Sequence, residues 1–240
     1  MTTPDHLKPF VVKTAVAQAA RLGTLDFYHP ESSDGQRPAV VFVHGGPLPL
    51  SVTPRPRDWP LFQGYGSLVA AQGLVGVVAE HGLTDPTRYP GAAADVAAAV
   101  DTVRADPRVD ADRIALWFFS GGGLISAEWL RKPPSWLRCV ALTYPVLAAP
   151  PGWPVDPAFA PVDAVTSAGS LPIVLTRAGL EQPVVAEGVA AFVEAAGPAL
   201  QIVDVPNGHH SFDVLDDTDE SRAAVHRAVA EVTALVTGEA

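Results

Sequence analysis

Short runs of apolar, largely β-branched residues limit this chain's fold more than any other feature of its sequence. They lie at 22–28, 39–43, 74–79, 114–119, 139–144, 173–176 and 201–205. Most are continuously apolar rather than alternating, the pattern of strands covered on both faces. Helical patterns separate them. After Pro90, residues Val96, Val100 and Val103 recur at helical spacing. Near the end Val225, Val229, Val232 and Val236 form a second stripe, preceded by Asp216, Asp217 and Asp219 where a helix dipole favours acids. Strands alternating with helices predict an α/β domain with a mostly parallel central sheet, flanked by helices and joined by right-handed crossovers.

Composition narrows the function. The chain has 240 residues, 48% apolar and 18% charged, enough for one domain over 1–240 with a sizeable core. Its 16 basic and 26 acidic side chains give a net charge of −10, with no basic cluster for a phosphate backbone, so no nucleic-acid partner is expected. The one cysteine, Cys139, excludes an intrachain disulfide and any multi-cysteine metal site. The histidines lack ligand spacing and neither a phosphate loop nor a dinucleotide glycine motif occurs, so neither metal nor cofactor is expected. Residues 1–13 lack the basic start and apolar stretch of a signal peptide, and no apolar run approaches the ~18 residues of a membrane span. The expectation is a cytoplasmic protein with no membrane partner; oligomeric state is not legible.

Two proline-rich stretches break the rhythm, at 47–66 and 145–172. Both leave the ends of predicted strands, where an open α/β sheet places its ligand crevice, which makes them candidate pocket walls.

The segment 113–124 reads Arg-Ile-Ala-Leu-Trp-Phe-Phe-Ser-Gly-Gly-Gly-Leu, with 124–130 predicted as helix. A serine at a sharp strand-to-helix turn is pushed above the sheet edge, and glycines after it let a helix N-terminus approach a developing oxyanion. On these residues the chain resembles the α/β-hydrolases, in the style of small esterases and dienelactone-hydrolase-like members. The resemblance covers most of the chain. His44-Gly45-Gly46-Pro47 resembles the family's oxyanion segment, 88–95 the helix start before the nucleophile strand, and 110–114 the lead into that strand. One departure stands out: the family carries a small residue two places before the nucleophile, and this chain has Phe118, which a tight turn must accommodate by local rearrangement.

The resemblance implies Ser120 as nucleophile and a base in the loop after the last strand. Pro206-Asn-Gly-His-His-Ser-Phe212 supplies it, and the family's His-x-Phe register selects His210 over His209. Of the other histidines, His6 in a frayed start and His226 on the last helix read as solvated. His44 shapes the oxyanion loop, and His81 could line a pocket or merely pack. The family's chain order places the acid between Ser120 and His210, commonly as Asp after a strand. Glu181 stands there, with Asp156 and Asp163 as alternatives. The oxyanion donors implied are Gly121 and either Gly45 or Gly46, since Pro47 has no N–H. Cys139, inside a strand, is not the nucleophile that some dienelactone hydrolases carry.

Phe119, Tyr144, Trp153 and Phe159 lie at strand ends or in the second proline-rich stretch and are the candidate substrate pocket. A cover of only ~25 residues, 146–171, implies a small lid and an accessible site, suited to a small-molecule ester of short acyl chain. The predicted function is a serine carboxylesterase acting through an acyl-enzyme. The competing readings are a hydrolase-fold protein that binds a small molecule without turning it over, and the same triad used on thioesters, amides or a carbon–carbon bond.

Overall fold

The structure, a computed structural model, describes residues 3–31 and 35–239. Its strands are β1 (Ala20–Leu22), β2 (Leu25–Tyr28), β3 (Arg37–Val43), β4 (Val75–Ala79), β5 (Val109–Phe119), β6 (Leu137–Thr143), β7 (Ile173–Ala178) and β8 (Leu200–Val205). They form an eight-stranded sheet in the order β1-β2-β4-β3-β5-β6-β7-β8. Only the β1–β2 and β2–β4 pairings are antiparallel. The run predicted at 22–28 is thus two strands: Gly23 at φ 57° supplies the left-handed residue of a hairpin turn, and exposed β1 is the sheet edge.

Continuous apolarity follows from coverage of both faces. Ala39, Val41 and Val43 of β3 join one core with Val96, Val100 and Val103 of α2 (Tyr89–Ala105) and Val185, Val189 and Phe192 of α5 (Pro183–Ala195). Val40 and Phe42 point the other way, to α1 (Pro60–Ala71) and the valine stripe of α7 (Asp219–Thr237). The Thr218 side chain caps α7 by accepting from the Ser221 N–H, and Gly238 ends it at φ 81°. Among the described residues no helix is long and apolar enough to cross a membrane.

Local readings fail in three places. About a third of the stretch 47–66 is helix, because Pro60 opens α1, where a missing N–H costs nothing, and residues 60–66 form its first turns. Helix α5 was not among the predicted helices, although Pro183 at its start and Val185, Val189 and Phe192 at helical spacing mark it in the sequence. Beyond Ser120 the chain runs as a 3-10 turn over Ser120–Ile125, and the α-helix predicted at 124–130 is α3 (Ser126–Arg131).

The segment 146–171 is well anchored. Val146, Leu147, Ala164, Val165, Ala168 and Leu171 are buried in the α2/α5 core, and α4 (Pro161–Ala164) packs against α3 and α5.

Parallel pairing has one consequence for function. The carboxyl ends of β3, β5, β7 and β8 all emerge at the same edge, so the segments beginning at His44, Ser120, Gly179 and Pro206 converge although they are far apart in sequence.

Candidate active site

The turn at Ser120 is built by backbone approach. Ser120 takes φ 48°, a left-handed conformation that costs a non-glycine residue about 1–3 kcal/mol and persists only where surroundings enforce it. A Cβ on Gly121 would lie 1.7 Å from the Gly46 carbonyl oxygen, one on Gly122 2.4 Å from that of His44, and one on Gly123 2.6 Å from that of Val146. The three glycines are therefore steric requirements of the turn. Phe118 is accommodated without touching that contact: its ring is fully buried in the α2/α5 core, on the sheet face opposite Phe119.

Two hydrogen bonds orient the peptides beside the serine. The Val146 N–H donates to the Ser120 carbonyl at 2.8 Å. Across a planar trans peptide the Gly121 N–H must then point the opposite way. On the facing segment His44 Nδ1–H donates to the Gly45 carbonyl at 2.6 Å, which likewise sets the Gly46 N–H. Gly45 lies against the serine, since a Cβ there would sit 2.9 Å from Ser120 Cβ.

His44 is itself held by His81. The rings stack at 3.7 Å and 13°, His81 Nε2–H donates to the His44 carbonyl at 3.0 Å, and the His81 N–H lies 3.4 Å from His44 Nε2. Desolvation pushes His44 well below the usual imidazole range and His81 down to about 4, so both are neutral near pH 7. His81, the predicted pocket-or-packing residue, does both. It supports His44 and borders a cavity of about 640 Å³ that is lined by neither Ser120 nor His210.

His210 Nε2 lies 2.7 Å from Ser120 Oγ, and its Nδ1 lies 2.6 Å from Glu181 Oε2. The carboxylate can only accept from Nδ1–H, which leaves the Nε2 lone pair facing the hydroxyl. Glu181 Oε1 accepts from the Gln182 N–H at 2.7 Å, and the side chain is only 4% exposed. Two backbone bonds clamp the acid and histidine loops together: Gly179 N–H to Val205 O at 2.8 Å and Leu180 N–H to Gly208 O at 2.9 Å. The alternative acids lie elsewhere. Asp156 accepts from the Ala158 N–H in a local turn, and Asp163 is exposed in the first turn of α4. His209 points away from Ser120 to Asp216, and His226 is exposed.

Asp213 escaped sequence reasoning. Its carboxylate is fully buried on α6 (Phe212–Leu215) and accepts from Tyr65 Oη at 3.0 Å and Tyr144 Oη at 2.9 Å. Desolvation pushes its pKa up to about 7, against the opposing effect of the two tyrosine bonds. The Tyr144 ring lies 4.9 Å from that of His210, so this cluster underlies the imidazole. An aspartate three residues past the histidine was the only available signal, and in sequence it resembles a helix-start acid.

Of the four predicted pocket aromatics, Tyr144 borders a cavity of about 150 Å³ that Glu181 also lines. Phe119 is a core ring, 1% exposed, stacked on Trp117 and edge-on to Phe62 and Tyr65. Tyr144 supports His210 from below. Trp153 and Phe159 lean on Tyr89, whose hydroxyl donates to the Gly121 carbonyl at 2.9 Å. None of the four lines the cavity of about 430 Å³ that opens at His210. That space is walled by Leu48, Val52, Trp59 and Leu61 from the first proline-rich stretch, and by Val214 and Leu215 from α6. His6 also lines it and lies tilted against Trp59, ring centroids 4.8 Å apart at 38°, so it is no solvated terminus. Cys139 is buried within β6, its thiol pushed up to about 12 by desolvation, and is inert as a nucleophile.

With an elbow serine, an imidazole and a carboxylate at the carboxyl edge of a mostly parallel sheet, the chain has the α/β-hydrolase fold. A family model described as BD-FAE matches residues 25–128. Among solved structures, a thermostable esterase from Pseudomonas putida is similar at TM-score 0.73 and 20% identity, over 94% of this chain and 86% of that one. A bacterial heroin esterase is similar at TM-score 0.71 and 19% identity, over 88% and 79%. Esterase 2 of Thermogutta terrifontis, solved with butyrate bound, gives 0.69 and 21%, over 90% and 88%. A comparison with curated proteins found no match.

Proposed function

We propose that this chain is a serine hydrolase that cleaves carboxylic esters of short acyl chains through Ser120, His210 and Glu181. The observation that carries the reading is the unbroken hydrogen-bonded chain from Ser120 Oγ to His210 Nε2 and from His210 Nδ1 to Glu181. A serine hydroxyl is a weak nucleophile at neutral pH, and an imidazole at this distance can take its proton as Oγ attacks. Glu181 keeps the accepting tautomer and offsets the imidazolium that forms.

The tetrahedral oxyanion rests on the N–H groups of Gly121 and Gly46, with Gly45 alongside, whose peptides are oriented by Val146 and His44. Collapse breaks the ester C–O bond as His210 returns its proton to the departing alkoxide. Water then attacks the acyl-enzyme by the same route in reverse. The esterases among its structural relatives favour a carboxylic ester over other acyl substrates. In this reading 146–171 is a fixed wall of a single domain rather than a swinging lid, because both of its ends are buried and Val146 is bonded to the elbow.

Two measurements test it: labelling by a fluorophosphonate probe and turnover of p-nitrophenyl acetate. Both are expected in the native protein and lost in Ser120→Ala with the fold retained. A folded native protein that neither labels nor turns over overturns the reading.

A further inference from the structure

The direction of proton transfer assigns the cavity at His210. A tetrahedral centre on Ser120 Oγ has its oxyanion toward Gly46 and Gly121, and its leaving oxygen must come within reach of His210 Nε2 to be protonated. The alcohol therefore extends past the imidazole, where the space of about 430 Å³ opens, within the ~300–1,000 Å³ usual for small-molecule sites. The acyl group is left with the space on the other side of the serine.

Resting on the esterase reading, we infer that this cavity is the alcohol subsite and that it takes an uncharged, flat, ring-sized apolar alcohol or phenol. The walls explain the chemistry. Leu48, Val52, Leu61, Val214 and Leu215 make most of the wall apolar, with Gln182, Ser211 and His6 as polar members, so a polyol there would regain few of the hydrogen bonds it gives up to water. Trp59 is fixed by Nε1–H donation to the Pro54 carbonyl at 2.8 Å and presents a ring on which another can lie. His6 closes the outer side against Trp59, on a segment moored to the site by the Val11 N–H, which donates to the Asp213 carbonyl at 3.0 Å. Asp5, at the rim, is paired with Lys8 at 2.7 Å, so it offers no lone negative charge to select a cationic alcohol.

The test is an ester series in which only the alcohol changes: methyl, butyl, benzyl and 2-naphthyl acetate, with kcat/KM measured for each. The native protein should prefer benzyl over methyl acetate by at least about tenfold, the order that a few buried methylenes supply. Trp59→Ala and His6→Ala should each shrink that ratio by about threefold to tenfold. Leu215→Trp, a change at the rim that narrows the space, covers the case in which Trp59→Ala does not fold. It should cut 2-naphthyl acetate turnover far more than methyl acetate turnover.

A parallel series of p-nitrophenyl acetate, butyrate and hexanoate checks the direction. If the variants change the acyl-length profile instead of the alcohol ratio, the cavity is the acyl side and the inference falls. It falls also if the alcohol ratio is flat and indifferent to all three variants. Fluorophosphonate labelling of Ser120 in the same preparations separates the two failures: a labelled enzyme with a flat alcohol ratio overturns the subsite alone, whereas absent labelling and turnover overturn the hydrolase reading beneath it.

Discussion

At the residue scale, the site depends on which hydrogen each group carries. Glu181 holds His210 by a bond of 2.6 Å that fixes the tautomer, and a neutral carboxamide could reverse it. Glu181→Gln should lower kcat on p-nitrophenyl acetate by roughly 10³–10⁴-fold with little change in KM or in thermal midpoint. An effect confined to KM would show that the carboxylate binds substrate instead. His44 acts one step further out, through the Gly45 carbonyl and hence the Gly46 N–H. His44→Ala should reduce kcat by up to about a hundredfold, the lower end of what outright loss of an oxyanion donor costs. His44→Asn, whose amide can still donate, should recover part of it, and no such recovery would mean that the ring acts by packing alone.

At the element scale, Ser120, Glu181 and His210 are brought together by short connections at one sheet edge. The acid loop after β7 and the histidine loop after β8 meet so closely that a Cβ on Gly179 would lie 2.2 Å from the Pro206 carbonyl oxygen. Gly179→Ala should therefore cost about 1–3 kcal/mol of stability, as overpacking generally does, and should slow fluorophosphonate labelling by separating Glu181 from His210. Urea midpoints together with labelling rates measure both effects, and a neutral variant would mean that the two loops move freely. Sequence legibility varies by element for a physical reason. The turn at Ser120 and the loop bearing His210 were readable because turns demand particular residues at particular positions, whereas His210 rather than His209 came from the His-x-Phe register of the family that the chain resembles. The pocket aromatics were not. Phe119 ends its strand as a candidate pocket residue would, yet strand alternation turns its ring into the α1/α7 core. Leu48, Val52 and Trp59 look like ordinary loop residues, and only the flagged stretch 47–66 hinted that they wall a site.

At the scale of the whole molecule, two buried titrating groups set opposing pH dependences. Asp213 has its pKa raised to about 7, so the native state holds a proton that the unfolded chain releases, and its contribution to stability declines as pH rises from about 4 through about 7. His81 is lowered to about 4, so the unfolded chain binds the extra proton, and its contribution declines as pH falls from about 6.5 to about 4. The windows overlap and the slopes oppose, with buried His44 adding to the slope of His81, so removing Asp213 exposes the histidine slope and removing His81 weakens it. Asp213→Asn should make the thermal midpoint more acid-sensitive between pH 4 and 6.5, and His81→Gln should make it fall more steeply toward pH 7 (windows set by the pKa values of about 4, 6.5 and 7). Melting curves across that range check both, and identical profiles for the two variants would refute the assignment. By itself the sequence determined what depends on local demands: strands covered on both faces, a parallel sheet, the glycine-lined turn at Ser120 and the loop bearing His210. Glu181 was the acid named first from the sequence, but only tertiary structure put its carboxylate beside His210 and left Asp156 and Asp163 elsewhere, buried Asp213 beneath the imidazole, and seated His6 against Trp59. Those outcomes depend on which distant side chains share a space, and that proximity exists only after the chain has closed on itself.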